Sequence, residues 1–238
     1  MRLFEIFNNP KPAIMEGGNV FDDAVNFDHV EIESILATVN DIMKPTGAKL
    51  IPIGSGATPT PGKYSGDLDV IVDQDTMAKY FGLKKPVEIK KAIGKLFSDK
   101  GFDTKVIGIN THVRVPLKQG SAQVDIMLVP DAERVSKFHM HSIPQGSKYK
   151  GLHKQVLLSK VARLKGLKWS GFKGLIDPNT DPKGENPERD IDTIAKMLLG
   201  DNATAQDLGS VESILAKLPP QQAQELEAEI MDDPAVKR

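Results

Sequence analysis

The sequence predicts an α+β fold: a mixed β-sheet core with flanking helices, followed by a mostly helical C-terminal region. Three observations predict it. Residues 67–72 and 122–129 alternate between the two faces of a half-buried strand, with a period of two. Val30, Ile32, Ile35, Leu36, Val39 and Met43 recur at helical spacing. Past Pro130 the strand signals stop, and stretches of helical periodicity take their place.

The elements follow in order. Residues 1–27 carry Pro10, Pro12, Gly17 and Gly18 without clean periodicity, and read as an irregular N-terminal arm. Asp28 is placed to cap the first helix, with Glu31 three residues on, and Pro45 and Gly47 stop that helix. Residues 48–53 read as a short buried strand, and residues 54–66, rich in Gly, Pro and Ser, as a loop. Strand 67–72 is followed by a helix over about 87–100, a strand at 104–109, and a hairpin. That hairpin pairs 111–117 with 122–129 across Lys118, Gln119, Gly120 and Ser121. Residues 151–164, 189–199, 211–218 and 221–231 read as helices. The division is therefore an arm (1–27), a core (28–133), a basic and mostly helical region (134–200) and an acidic helical tail (201–238).

At 238 residues the chain is long enough for one good-sized domain with an appendage. No run approaches the ~18 apolar residues of a membrane span, so no membrane is expected. The first residues do not read as a secretory signal, because Pro10 and Pro12 break the apolar stretch early. Cysteine is absent, which excludes disulfides and thiol chemistry and suits a reducing cytoplasm. The net charge of -1 hides an asymmetry. From residue 134 to residue 176 there is no Asp or Glu, yet ten Lys and Arg occur, among them Arg134, Lys148, Lys150, Lys154 and Arg163. From residue 177 onward carboxylates outnumber cations by about two to one. An acid-free basic stretch is the electrostatic footprint of phosphate binding.

The chemistry concentrates in three carboxylates. Asp67 and Asp69, two apart on a strand, share a face while Leu68 and Val70 point into a core. On the later strand Gln123, Asp125 and Met127 share one face. If the two strands are neighbours, Asp125 lies beside the pair, and three clustered carboxylates call for a cation. Magnesium or manganese suits an all-oxygen set. Upstream, Gly54-Ser55-Gly56 follows a strand directly. Glycine there lets backbone N–H groups approach a phosphate, and Ser55 adds a hydroxyl donor. No Gly-Lys-Ser/Thr follows, so this is not a Walker loop.

These residues together resemble the DNA polymerase beta-like nucleotidyltransferase superfamily. Its pattern is a hydrophobic strand ending in Gly-Ser, a short gap, Asp-h-Asp-h (h, hydrophobic), and a third carboxylate on a later strand. Here Gly54-Ser55, eleven intervening residues, Asp67-Leu68-Asp69-Val70 and Val124-Asp125-Ile126 match each part, over about residues 28–130. The resemblance implies a nucleotidyltransferase-type sheet in which Asp67 and Asp69 hold two metals and Asp125 holds the catalytic one. It also implies NTP as substrate, and an RNA 3′ end, a protein or a small molecule as acceptor. Pro59, Pro61 and Gly62 depart from the helix that many members place after Gly-Ser. Ser147-Lys148-Tyr149-Lys150 is similar to segments that touch the triphosphate in template-independent members, which makes Lys148 and Lys150 candidate nucleotide ligands. The short arm is similar to that of bacteriophage-encoded nucleotidyltransferases, which implies the host cytoplasm.

Plainer readings stand beside these. An Asp-h-Asp pair alone is common at strand ends, and charge runs are usually solvated faces. His139 and His141 lack a third ligand nearby, and Trp169 and Phe172 read as core. The alternative function is a non-catalytic nucleotide- or RNA-binding module that keeps the fold.

Overall fold

A computed structural model describes residues 20–140, 147–234 and 236. Its elements run β1 (Phe27–Asp28), α1 (Ile32–Met43), β2 (Ile51–Pro52), β3 (Tyr64–Ser65), β4 (Asp67–Asp73), α2 (Gln74–Phe81) and α3 (Pro86–Ser98). Then come β5 (Thr104–Ile107), β6 (Asn110–Pro116), β7 (Ser121–Val129), α4 (Ala132–Met140) and α5 (Gly151–Leu164). Last are β8 (Lys168–Ser170), β9 (Gly174–Ile176), α6 (Ile191–Leu199), α7 (Val211–Ala216) and α8 (Pro220–Asp232).

The central sheet is mixed, in the order β2-β4-β7-β6-β5. Only β4 and β7 run parallel, and the chain between them passes through α2, α3 and the strands β5 and β6. The fold is thus α+β with flanking helices, as expected. Alternation explains which face goes where. Leu68, Val70, Val72, Val113, Val115, Val124 and Ile126 meet Ile35, Val39, Ile89, Ile93 and Phe97 of α1 and α3 in the main core. Each such side chain taken from water contributes ~1.5–3 kcal/mol. On the opposite face Ile53, Ile71, Met127 and Val129 meet Ala132 and Val135 of α4. A third cluster, built from α5–α8 with Leu175, forms the C-terminal core. Among the described residues, no helix is long and apolar enough to cross a membrane.

Several elements differ from expectation. Asp28 caps a 3₁₀ turn, accepting from Val30 N, and α1 proper starts only at Ile32. The first strand shrinks to Ile51–Pro52, since Pro52 cannot donate to a ladder and restricts it to the sheet edge. Helix α2 was not foreseen, although Asp73 caps it by accepting from Thr76 N and Gly82 ends it in the left-handed region. Helix α4 and the small β8–β9 hairpin inside the basic region were also not foreseen. The described end of the arm is not loose: Phe21, Ala24 and Phe27 are buried, and Asp23 pairs with Arg114 of β6.

Candidate active site

Strand alternation puts Asp67 and Asp69 on the face opposite the main core, and the parallel register sets Asp67 beside Gln123 and Asp69 beside Asp125. One oxygen from each of Asp67, Asp69 and Asp125 lies within 4.8 Å of the others. Two oxygens bound to one magnesium at about 2.0–2.1 Å, or to a larger divalent ion at up to about 2.6 Å, stand no more than about 4–5 Å apart. The trio therefore can hold a divalent cation. Without one the cluster is strained electrostatically. Burial, then the Asp67 and Asp125 charges, push the Asp69 carboxyl up to about 7. Burial and Asp125 likewise raise Asp67, opposed by its backbone hydrogen bond and by His112.

Asp125 is the best-held of the three. Its Oδ1 accepts from His112 Nδ1 at 2.7 Å and from Gln123 Nε2 at 3.0 Å, and its Oδ2 accepts from Asn110 Nδ2 at 3.1 Å. A carboxylate only accepts, so the bonded His112 nitrogen carries the proton. Gln123 is oriented in turn, since its Oε1 accepts from Val20 N at 2.7 Å. Three of the roughly four acceptor positions of Asp125 are thus taken, which leaves about one for a metal. Asn110 Oδ1 is buried with no hydrogen-bond partner.

The glycine turn meets this cluster. Gly54–Ala57 is a single 3₁₀ turn, entered where Ile53 N donates to the Asp69 carbonyl at 3.0 Å. Gly54 has φ +60, and a Cβ there would stand 3.7 Å from Asp69 Oδ2. Gly56 is needed for a different reason: a Cβ would lie 2.4 Å from Leu68 Cδ1. Ser55 shares the turn, its side chain lying outside what the structure describes. Between the turn and β4 the chain is pinned by buried His29, whose Nδ1 accepts from Thr60 N at 3.0 Å and whose Nε2 donates to Ser65 Oγ at 2.8 Å.

The basic region is only partly a solvated face: Arg163, Lys165, Lys168 and Lys173 are exposed, but other cations are engaged. Lys148 pairs with Glu227 of α8 at 2.8 Å, and Lys160 with Glu229 at 2.9 Å, so the acidic tail neutralises part of the basic stretch. Lys150 sits at the N-cap of α5. The Lys150 backbone N–H donates to His153 Nδ1 at 2.9 Å. Lys154 is buried, contrary to a nucleic-acid-facing role. Its Nζ donates to the carbonyls of Phe138 and Gly209 at 3.2 and 3.3 Å, lies 4.5 Å from the Phe138 ring centre, and is pushed down to about 8 by burial. Trp169 and Phe172 pack in cores, as expected. The side chains of His139 and His141 lie outside the described residues.

Sequence reasoning missed His112, Asn110 and His29. The first two had a readable signal, because residues 110, 112 and 114 alternate onto one strand face opposite 123 and 125. His29 had none. No protein-family model and no curated protein matches the chain.

Proposed function

We propose that the chain is a metal-dependent nucleotidyltransferase, moving a nucleoside monophosphate from an NTP to a hydroxyl acceptor with release of pyrophosphate. The observation that carries this reading is the convergence of Asp67, Asp69 and Asp125 oxygens within 4.8 Å beside the Gly54 turn. Asp67 and Asp69, with few competing hydrogen bonds, hold the cations. Asp125, fixed by His112, Gln123 and Asn110, presents one oxygen to the catalytic ion. Magnesium or manganese, when bound, would draw charge from the α-phosphate and the leaving pyrophosphate. The Gly54-Ser55 turn offers backbone N–H groups to the phosphates, and Lys148 and Lys150 supply cations once Lys148 leaves Glu227. In the reaction the acceptor oxygen bonds to the α-phosphorus, its proton leaves to solvent, and the bond to the β-phosphate oxygen breaks.

The acceptor is an RNA end, a protein or a small molecule, in a cytoplasmic setting (that of a host cell if the gene is carried by a phage). A non-catalytic binding module is disfavoured, since nothing in a dead site would maintain three mutually repelling carboxylates. The test is incubation with each labelled NTP and magnesium or manganese, over a panel of RNA, protein and small-molecule acceptors. Pyrophosphate release by the wild type and none by Asp69→Asn is expected. No release by the wild type with any NTP and acceptor removes the proposal.

A further inference from the structure

Away from the carboxylate trio, a cleft of about 860 Å³ opens between α4 and the start of α6. Its lining contains four carboxylates and three cations, but nearly all the carboxylates are already engaged. Asp131 Oδ1 accepts from Arg134 N, Glu133 pairs with Lys137, Asp190 accepts from Thr193 N, and Asp192 accepts from Ala205 N. Two guanidiniums remain. Arg134 is 8 % exposed; one of its nitrogens donates to the Phe172 carbonyl, while Nε and Nη1 are buried with no hydrogen-bond partner. Asp131 Oδ2 reaches only to 4.0 Å of Nε. Arg189 is exposed on the same cleft and forms no ion pair among the described residues.

A buried guanidinium keeps its charge, and each donor it cannot use costs the loss of its hydration. Burial lowers the Arg134 pKa, the Asp131 charge opposes this, and the like charge of Arg189 adds a smaller lowering. An acceptor that met both would remove the strain. A carboxylate offers two oxygens, whereas a phosphate monoester offers three on one centre, enough for two guanidiniums approaching from different directions. Because carboxylates outnumber cations in the lining, the long-range field does not favour a polyanion. Recognition must be short-range, and the volume is that of a small-molecule pocket.

We infer that the cleft between α4 and α6 is a binding site for a phosphate monoester of nucleotide size, held by Arg134 at its floor and Arg189 at its rim. The site does not depend on the nucleotidyl-transfer reading. The test uses AMP and inorganic phosphate as probes, in EDTA so that no metal-bound phosphate forms at the carboxylate trio. Binding is followed by titration calorimetry and by the arginine Nε–H resonances. AMP is expected to bind and shift the Arg134 and Arg189 resonances, with inorganic phosphate competing. Arg189→Gln, a surface change, should weaken AMP about tenfold or more, as losing a charged hydrogen bond implies. Asp69→Asn should leave it unchanged. No AMP binding at millimolar concentration, an unaffected Arg189→Gln, or loss of binding in Asp69→Asn would each overturn the inference. So would steeply salt-dependent binding of short single-stranded RNA that needs Arg189 while AMP does not bind, because the occupant would then be a polynucleotide.

Discussion

Replacing Asp69 by Asn should stabilise the metal-free protein at neutral pH and abolish its response to magnesium. The carboxyl is pushed from 3.8 up to about 7 by burial and by Asp67 and Asp125. Below about pH 4 the group is protonated in both folded and unfolded chains and costs nothing. Between about 4 and 7 the unfolded chain has released the proton while the folded chain still holds it, so stability falls as pH rises. Above about 7 the penalty is complete and constant. At 1.36 kcal/mol per pH unit the interval corresponds to about 4 kcal/mol. Water reaches this partly covered site, and with screening nearer an effective dielectric of about 20 we expect about 2 kcal/mol. For a chain of this length that is a rise of about 4–8 °C in Tm. The assay is a set of thermal melts from pH 4 to 8 in EDTA, wild type against Asp69→Asn, repeated with magnesium. The curves should meet near pH 4 and separate by pH 7.5. Magnesium should then raise only the wild type, by mass action on the folded state. A variant no more stable than wild type at pH 7.5, or one equally raised by magnesium, would refute the assignment of Asp69 as a crowded metal ligand.

Other outcomes follow from the same geometry. His112→Ala removes the 2.7 Å bond that orients Asp125 and should weaken manganese binding about 10–100-fold in a direct titration, with the fold retained. Gly54→Ala combines the strain of φ +60 with a new atom beside Asp69. Gly62→Ala, at φ +78 in open space, carries the strain alone, so both should lose about 1–2 kcal/mol but only the first should lose NTP turnover. Ser55→Ala should reduce NTP affinity by about 1.5–3 kcal/mol in equilibrium binding, if its hydroxyl meets a phosphate. Lys154, pushed down to about 8, loses its proton in the folded chain before the unfolded one does near 10.4. Wild-type stability should therefore rise relative to Lys154→Met between about pH 8 and 10.4 in urea melts.

The carboxylate trio was legible because its signal is local in each strand: a two-residue period fixes which face Asp67, Asp69 and Asp125 occupy. Their adjacency was not local. It depends on β4 pairing in parallel with β7 across more than forty intervening residues, and in the sequence it stood only as a condition, implied by the resemblance to a pattern with a third carboxylate on a later strand. The cradle around Asp125 was half-legible. The β6–β7 turn proved to be Leu117 to Gly120 rather than 118–121, a shift of two in register that moves His112 from opposite Met127 to opposite Asp125 but leaves it on the same face. What hid α2 and α4 was competition: each is short and follows a strongly apolar strand, so the strand period dominated the window.

The basic stretch shows why charge along a sequence is a poor guide to charge in space. Ten cations without a carboxylate suggest one phosphate-binding surface, but folding sorts them by environment. Lys154 is drawn inside, where its donors meet carbonyls. Arg134 is drawn inside with two nitrogens unmet. Lys148 and Lys160 remain outside but face Glu227 and Glu229, because Leu226 and Ile230 anchor α8 in the C-terminal core and carry its carboxylates with them. A tail fixed by its apolar side chains is not a detachable shield. Any anion that uses Lys148 must therefore displace Glu227 in place, in competition with a hydrogen bond that the Tyr149 hydroxyl also donates to it.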